Sequence, residues 1–374
     1  MNRIEFGELR FGATARSNLM DCMETNWSSA GPKVKAFEEK WGTLFGYKHN
    51  KAVSSGTDAV LNLVSTAYEY GAKRGDEIIV PALSFIASTN AVLMAGFTPV
   101  FVDVELDTMN MDPRKIQAAI TDRTVAILAV HTMGKMCEMD DICNIGQRHG
   151  LLIFEDACEA HGAKYTDYYP GAKTHGAAFS FYTAHLICAG EGGMISTNIE
   201  KVANCVESTR THGRKPGDLY FDHERVGYNS KMNDLEASLA LEGIEDFWDT
   251  FHERKEILYK LMNSTTRYSK RASFTKENFD REVLCPHGFS IVLKHDAPLS
   301  ELTDILDKYD IHWKRNFGCI PTQHRAYQWM GHKLGAFPKA EYIGDHGIHV
   351  GVHRYLSEKD TDRMVEAFKE YFEG

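Results

Sequence analysis

The sequence predicts an α/β fold with a large domain on a mostly parallel β-sheet, followed by a smaller C-terminal α/β lobe. Two observations predict it. Between about residues 50 and 200, short apolar runs alternate with segments of helical spacing, which is the pattern of βα units. From Asn233 onward, long amphipathic segments flank a single strand-like run. We therefore expect a large domain over 12–245 and a small domain over 246–374, with residues 1–11 packing near the small domain.

Five runs in the first half are predicted to be strands. Each is apolar over most of its length rather than at alternate positions, which indicates strands covered on both faces of a parallel sheet. These runs are 76–83, 98–104, 124–131, 150–157 and 177–182. The segments between them have helical spacing, and the segment 139–150 ends in a glycine stop.

The C-terminal part is predicted to begin with one long helix over 233–264, which would connect the two domains. Beyond it, 287–294 is predicted to be a strand and 357–372 a closing amphipathic helix. The apolar stripe of the long helix is expected at Leu235, Leu239, Phe247, Phe251 and Leu258.

Composition narrows the class of protein. The net charge is −10 and no block of lysines or arginines occurs, which argues against nucleic acid or an anionic membrane as the main partner. The start of the chain lacks the apolar core of a signal peptide, and the longest apolar run, 91–102, is short of the ~20 residues that span a bilayer. The eight cysteines include no CxxC pair, so we expect reduced thiols, no metal site and a cytoplasmic protein.

Ligands of an open parallel sheet bind at the carboxyl ends of its strands. The turn at 54–60 stands directly before a helical stretch, so its backbone N–H groups could hold a phosphate. An ordinary capped helix, with Thr57 or Asp58 near the cap, explains the same residues. The pattern alone leaves both interpretations open.

Two further strand ends carry polar side chains. Glu155 and Asp156 close one predicted strand, where a carboxylate can bind a cationic ring nitrogen or simply cap a helix. Ser180 and His185 stand at the end of the next predicted strand. A lone histidine in such a place is more often structural than catalytic.

The order of these features is more informative than any one of them. A phosphate turn, an aromatic residue after a strand (Phe85), an aspartate after a strand and a serine follow one another in ungapped blocks. The blocks include VPALSFIASTNAV, FEDACEAHGA, SFYTAHLICAGEGGMIST and GYNSKMNDLEA. They resemble the sugar aminotransferase and dehydratase family of fold-type I pyridoxal-phosphate (PLP) proteins over nearly the whole chain. The resemblance implies a seven-stranded, mostly parallel sheet in the large domain.

The resemblance also implies a site for PLP or pyridoxamine phosphate (PMP). The phosphate is expected to contact Gly56, Thr57 and Ser180, and the ring Phe85, Asp156 and Glu159. Asn229 matches an asparagine that the family sends across a dimer interface to the partner's cofactor phosphate. We therefore expect a homodimer with shared active sites.

The chain departs from the family pattern at position 185. Most members have there the lysine that binds the cofactor covalently, in a block S-F-x-x-x-K, whereas this chain keeps the spacing and has His185. Histidine at this position resembles the branch of nucleotide-sugar 3-dehydratases, which use PMP to remove the C3 hydroxyl of a 4-keto-6-deoxyhexose. Lys231, where aminotransferases usually have arginine, resembles the same branch. We expect a non-covalent cofactor and His185 as base, with a pKa near ~6.5.

One subtype of this branch holds an iron–sulfur cluster on cysteines just after an R-x-x-G-R block. Here that block, 210–214, is followed by KPGDLYFDHE without cysteine, and a cluster needs about four thiolates. We therefore expect no iron–sulfur cluster. The resemblance then implies that L-glutamate regenerates PMP, in deoxysugar biosynthesis of the kind that supplies lipopolysaccharide O-antigen.

Candidate substrate contacts are Trp27, Arg225, Lys231 and Arg315, although each is also an ordinary residue for a surface or a packing site. Two other functions remain open. One is a nucleotide-sugar aminotransferase, or another PMP-dependent sugar-modifying enzyme with His185 as base. The other is a catalytically inactive protein that binds the cofactor.

Overall fold

The computed structural model of the protein describes residues 3–215, 217, 222–295 and 297–374. The strands in this part of the chain are β1 (His49–Val53), β2 (Glu77–Pro81), β3 (Thr98–Val102), β4 (Thr124–Val130), β5 (Leu152–Asp156), β6 (Lys164–Tyr165), β7 (Gly176–Ser180), β8 (Gly193–Thr197), β9 (Ala272–Phe274), β10 (Glu282–Val283), β11 (Gly288–Leu293), β12 (Trp313–Arg315) and β13 (Gly347–Gly351).

Helices surround these strands. The α-helices of the described residues are α1 (Ala13–Thr25), α2 (Pro32–Phe45), α3 (Gly56–Ser65), α4 (Ile86–Met94), α5 (Pro113–Ala119), α6 (Met139–His149), α7 (Glu200–Thr209), α8 (Asp234–Glu245), α9 (Phe247–Thr265), α10 (Leu299–Lys308), α11 (Ile320–Gln323), α12 (Pro338–His346) and α13 (Glu358–Glu373). Short 3₁₀ helices span Thr66–Tyr70, Thr132–Gly134, Thr266–Tyr268 and Arg325–Met330. No helix within these described ranges has the length and apolar character needed to cross a membrane.

The large sheet confirms the predicted fold class. Seven of the described strands form it, in the order β1-β8-β7-β5-β4-β2-β3. Strand β8 runs antiparallel to both β1 and β7, and the other pairings are parallel. The five strands expected from apolar runs are β2, β3, β4, β5 and β7. Each ends one or two residues earlier than its apolar run, so the last residues of the runs lie in loops at the sheet edge.

Both faces of this sheet are covered, which explains the continuous apolar runs. On β4, Ile127 and Ala129 point into one hydrophobic core, which also contains Trp41 of α2. Their neighbours Ala126 and Leu128 point into a second core, which includes α3 and α4. Because successive strand residues face opposite sides, a strand between two cores needs apolar residues throughout.

The single long helix predicted over 233–264 is wrong, because the chain breaks between α8 and α9. Asp246 separates them with φ −104° and ψ 13°, and its carboxylate is bound by Arg354, which also donates to Thr250 Oγ1 at 2.8 Å. The predicted stripe is also shifted in α8, where Leu235 and Leu239 are only partly buried. The buried apolar residues of α8 are Ala237, Ala240, Leu241 and Ile244.

A second sheet forms in the C-terminal part. Its order is β12-β13-β11-β9, with antiparallel pairings throughout. A third core, with Phe289 and Phe368 fully or almost fully buried, packs this sheet against α10 and α13. Ile4 belongs to the same core and bridges to Ile311, so the N-terminal segment lies beside this sheet.

The hydrophobic cores of the large sheet and the core of the second sheet do not divide the chain at a single residue. Phe247 and Phe251, at the start of α9, pack into the first core of the large sheet. The division into 12–245 and 246–374 therefore stays a proposal, with the break at Asp246 as the feature nearest to it.

Candidate active site

A cavity of about 1050 Å³ opens where β4, β5 and β7 end, and the second sheet forms its opposite wall. It brings together many residues that are far apart in sequence. The candidate residues that line it are Gly56, Thr57, Phe85, Asp156, Glu159, Ser180, His185 and Arg315. Trp27, Arg225, Asn229 and Lys231 are not among its lining residues.

The turn before α3 supplies one end of the cavity. Ser55 caps the helix, since its Oγ accepts a hydrogen bond from the Asp58 N–H at 3.0 Å, so the cap is not Thr57 or Asp58. Gly56 starts the helix so close to Ser180 that a Cβ added at Gly56 would lie 2.5 Å from the Ser180 Cβ. Because the first N–H groups of a helix lack acceptors within it, this glycine turn fits an anion such as phosphate.

Asp156 lies at the end of β5 and is held from two sides. Its Oδ2 accepts from the Ser88 hydroxyl at 2.6 Å, and its Oδ1 accepts from the Cys158 N–H at 3.1 Å. The preceding residue, Glu155, points to the other face, where it lies 2.8 Å from His131 Nε2 and accepts from the Gly171 N–H at 2.7 Å. Of the two adjacent carboxylates, only Asp156 lines the cavity.

Glu159 forms the next part of the wall. Its Oε2 accepts from the Met133 N–H at 2.6 Å, and its Oε1 lies 3.4 Å from His287 Nε2. Burial raises the pKa of Glu159 to about 8, with Asp156 adding to the effect and the Met133 hydrogen bond opposing it. The carboxyl group is therefore largely protonated at neutral pH and can donate a hydrogen bond.

His185 stands in the loop after β7, partly exposed to the cavity. Its ring centroid lies 5.2 Å from that of His287 and 5.6 Å from that of His161. Its buried Nδ1 has no hydrogen-bond partner among the described residues. Burial, and then the nearby Arg254, lower the pKa of His185 to about 3, which corrects the expectation of a value near ~6.5. The imidazole is neutral at neutral pH.

Arg254, on α9, holds the loop that carries His185. Its Nη1 donates to the His185 carbonyl oxygen at 3.3 Å, and its Nη2 donates to those of Ala184 at 3.4 Å and His287 at 2.9 Å. Sequence patterns do not predict these contacts, because they join residues 33 to 70 positions apart.

A second cavity, of about 580 Å³, lies against the same loop. The N-terminal segment, α8, α9 and the residues around Arg354 line it, and it includes Arg254 and His353. His185 is a lining residue of both cavities, so this residue lies between them.

The wall formed by the second sheet carries positive and polar groups that sequence reasoning mostly missed. Lys314 and Arg315 are exposed on β12, and the Lys314 ammonium lies 4.1 Å from the ring centroid of Phe6. His349 Nδ1 lies 3.1 Å from the Asn316 side-chain oxygen. Lys314 is the only lysine among the described lining residues of the large cavity.

Phe85, expected to stack on the cofactor ring, also lines the cavity. It follows β2 and immediately precedes α4. Its side chain is 60% exposed, and its ring centroid lies 6.1 Å from that of Phe317. A largely exposed aromatic face in a cavity is available for stacking on a planar ligand.

The other candidates stay predictions. Asn229 is exposed and accepts a hydrogen bond from Lys231 Nζ at 2.6 Å. Arg225 donates to the Glu69 carboxylate at 2.7 and 3.2 Å, which commits its guanidinium to that ion pair. Trp27 is half-exposed and packs on the glycine at position 31.

The donor set of the large cavity fits a phosphorylated, cationic ring. A glycine turn with free N–H groups faces Ser180, and a firmly held carboxylate, Asp156, is available for a ring nitrogen. All eight cysteines are free, and no cluster in the described part of the chain has three or more side chains able to hold a metal. The absence of an iron–sulfur cluster stays a prediction.

Comparison with known proteins places this geometry in a family. GDP-perosamine synthase from Caulobacter vibrioides is 33% identical over 373 residues, covering 98% of this chain and 97% of the relative. A dTDP-4-dehydro-2,6-dideoxy-D-glucose 3-dehydratase from Saccharopolyspora spinosa is 31% identical, covering 92% of this chain and 81% of the relative. GDP-4-keto-6-deoxy-D-mannose-3-dehydratase from E. coli, solved with bound hydrated PLP, has the same fold, with a TM-score of 0.88 at 22% identity and coverage of 98% and 99%.

The sequence profile of one family matches residues 11–369. This match covers the large sheet, the cavity and the second sheet, so it includes both walls of the candidate site. The chain belongs to the DegT/DnrJ/EryC1/StrS aminotransferase family.

Proposed function

We propose that the protein is a PLP/PMP-dependent 3-dehydratase that removes the C3 hydroxyl of a nucleotide-linked 4-keto-6-deoxyhexose. One observation carries the proposal: this chain has His185, a neutral imidazole, in the block that resembles the family's S-F-x-x-x-K. Family membership does not choose the reaction, because a perosamine synthase and a 3-dehydratase resemble the chain at 33% and 31% identity.

The residues of the cavity suit the binding of this cofactor. Gly56, Thr57 and Ser180 would bind its phosphate, Asp156 its ring nitrogen, and Phe85 the face of its ring. When bound, the cofactor supplies an amino group and an electron sink. We propose that it is bound without a covalent link.

His185 would move the proton. A neutral imidazole has one unprotonated ring nitrogen that accepts a proton, and the imidazolium can then give that proton to the departing C3 hydroxyl. Burial and Arg254 disfavour the charged ring, so a protonated His185 would release its proton readily, and the same effect makes its uptake of a proton harder. Glu159, largely protonated, would donate a hydrogen bond within the site.

The proposal includes the reaction partners. L-glutamate would return the amino group that the sugar carries away, and hydrolysis would release ammonia and a 3-deoxy-4-keto sugar. No iron–sulfur cluster takes part. Eight free cysteines suit a reducing compartment, so we propose a cytoplasmic enzyme.

The active unit would be a homodimer. Asn229 and Lys231 lie outside the lining of the cavity in their own chain, and Asn229 is exposed. The exposed position of Asn229 supports a contribution of this residue to the partner's site, as the resemblance implies.

Product mass tests the proposal. The protein, PLP and L-glutamate are incubated with a panel of nucleotide-linked 4-keto-6-deoxy sugars. We expect loss of the 3-oxygen, with no lysine adduct after borohydride treatment. Gain of an amino group would instead favour the aminotransferase suggested by the GDP-perosamine synthase relative. A borohydride-stable adduct at Lys314 would overturn the non-covalent cofactor.

Variants at position 185 test the residue itself. His185→Asn should lower dehydration by about 10²- to 10⁴-fold, the usual contribution of a general base, and leave cofactor affinity unchanged. His185→Lys should weaken dehydration and give a borohydride-trapped adduct. His149→Asn, at an exposed position on α6, is the control. An inactive cofactor-binding protein would show no turnover, and His185→Asn would change nothing.

A further inference from the structure

Arg254 is a buried cation without a carboxylate partner. Only 5% of its surface is exposed, and none of the ion pairs among the described residues includes it. Transfer of an unpaired charge into a protein interior is costly, so such a group needs compensating hydrogen bonds. Burial lowers the pKa of Arg254 to about 10, which still leaves it charged at neutral pH.

The compensating bonds all go to backbone carbonyl oxygens around the candidate base. Two belong to Ala184 and His185, in the loop after β7 of the large sheet. The third belongs to His287, directly before β11 of the second sheet. One guanidinium on α9 therefore joins the loop of the base to the opposite wall of the cavity.

The rings follow these backbones. The His185 and His287 rings lie 5.2 Å apart between centroids with 33° between their planes, and His161 lies on the other side of His185 at 5.6 Å and 32°. His185 Nδ1 and His287 Nδ1 have no hydrogen-bond partner among the described residues. The position of the His185 ring thus depends on packing and on the backbone that Arg254 holds, while His287 Nε2 also lies 3.4 Å from Glu159 Oε1.

We propose that Arg254 is a positioning residue for His185, which fixes the His185 loop and the His287 turn by binding their carbonyl oxygens. The inference rests on the proposed role of His185 as the base. A base displaced by about 1 Å can lose about 10²-fold in rate, so a residue that never contacts the substrate can control turnover.

The charge of Arg254 has a second effect on the same ring. Within the described part of the chain, the titratable groups that contact the His185 ring or shift its pKa are Arg254, His161, His287 and, at 6.4 Å between centroids, Tyr182. Because Arg254 is the permanent cation among them, its removal should raise the pKa of His185. A purely structural arginine would change stability without moving that pKa.

The test compares Arg254→Met, Arg254→Gln and Arg254→Lys with Arg354→Met. Arg354 binds Asp246 and Glu253 at the start of α9 but makes no hydrogen bond to the His185 loop in the described structure. The Arg354→Met variant therefore shows the effect of loosening α9 alone. Three quantities are measured: kcat and KM for dehydration, cofactor affinity by absorbance, and the titration of His185 by NMR in the cofactor-free protein. The His185→Asn spectrum assigns the His185 resonance.

We expect Arg254→Met to lower kcat by about 10- to 100-fold, with KM and cofactor affinity changed by less than about threefold. Its His185 should titrate at a higher pH than in the unmodified protein. Arg254→Lys should recover part of kcat, since an ammonium can still bind carbonyl oxygens. Arg354→Met should leave kcat and the His185 titration unchanged.

Any of three results would overturn the proposal: an unchanged kcat in Arg254→Met, an unchanged His185 titration in Arg254→Met, or equal effects in Arg354→Met. If Arg254→Met does not fold, Arg254→Gln and Arg254→Lys decide by the same two readouts. The NMR titration does not depend on turnover. If the unmodified protein dehydrates none of the sugars, the proposed function fails while the effect of Arg254 on His185 is still measured.

Discussion

The two walls of the large cavity are built differently. On the wall of the large sheet, Asp156 and Ser180 are buried, and Asp156 is held by a 2.6 Å hydrogen bond from Ser88. On the wall of the second sheet, Lys314 and Arg315 are exposed, and the Arg315 guanidinium makes no hydrogen bond or ion pair with the other described residues. We call the wall with Asp156 and Ser180 the fixed wall. Buried, hydrogen-bonded groups suit a cofactor that stays in place, whereas the exposed cations Lys314 and Arg315 suit an anionic substrate that binds and dissociates.

The largest effect is expected on the fixed wall. Asp156→Asn removes a buried charge that Ser88 and the Cys158 N–H both bind. Because hydrogen bonds to charged groups contribute about 1.5–3 kcal/mol, we expect cofactor affinity to fall by roughly 10- to 100-fold. Equilibrium titration followed by absorbance measures it.

The exposed Asp280→Asn is the control for this change. Unchanged cofactor affinity in Asp156→Asn would contradict the proposed difference between the two walls, since the fixed wall would then not bind the cofactor.

An intermediate effect is expected where the walls meet, in the free energy of unfolding at acidic pH. Burial lowers the pKa of His185 and His349 to about 3, and lowers those of His161 and His287 as well. Below about pH 6.5 these histidines bind protons in the unfolded chain but stay neutral in the folded protein. The free energy of unfolding therefore falls as the pH falls. Glu159, with its pKa raised to about 8, makes the folded protein more stable as the pH falls. This one group opposes four histidines, so the loss of stability is expected to dominate.

We expect the free energy of unfolding to fall by about 2 kcal/mol or more between pH 6.5 and pH 5. Urea unfolding at the two pH values measures it. His185→Asn should reduce the difference, because one depressed histidine is removed. Equal or greater stability at pH 5 would show that these histidines are not buried in neutral form.

The smallest effect is expected on the wall of the second sheet. Arg315→Met should raise KM for the nucleotide sugar several-fold, by roughly 1 kcal/mol, with cofactor affinity unchanged and stability within about 0.5 kcal/mol. Steady-state kinetics at low and high salt measure it, because an exposed charge is screened by salt.

Arg325→Met, at an exposed arginine outside the cavity lining, is the matched control for Arg315→Met. A loss of cofactor affinity in Arg315→Met would contradict the proposal that the fixed wall binds the cofactor and the wall of the second sheet binds the substrate.

The fixed wall was largely predictable from sequence. Its residues follow apolar strands of a parallel sheet, whose carboxyl ends meet at one edge, so Asp156 and Ser180 could be placed beside Gly56 before the structure. His185 became the candidate base only through the resemblance to the family, because a lone histidine in a loop is more often structural. That these residues bind the cofactor stays a prediction.

Other features depend on contacts between distant residues. Ser88 binds Asp156 across 68 positions, and Arg254 binds the His185 loop across about as many. The break at Asp246 depends on Arg354, 108 residues later, so helical spacing alone suggested a continuous helix. The depressed pKa of His185 follows from its burial beside Arg254, which a loop sequence does not show.

The position of His185 between two cavities has a consequence for chemical rescue. In a His185→Gly variant, the imidazole ring of this residue, which lines both the large cavity and the 580 Å³ cavity, would be gone. Added imidazole could then enter the vacated space and act as a diffusible substitute for the side chain. The proposed base would then be a reagent whose concentration and basicity the experimenter chooses.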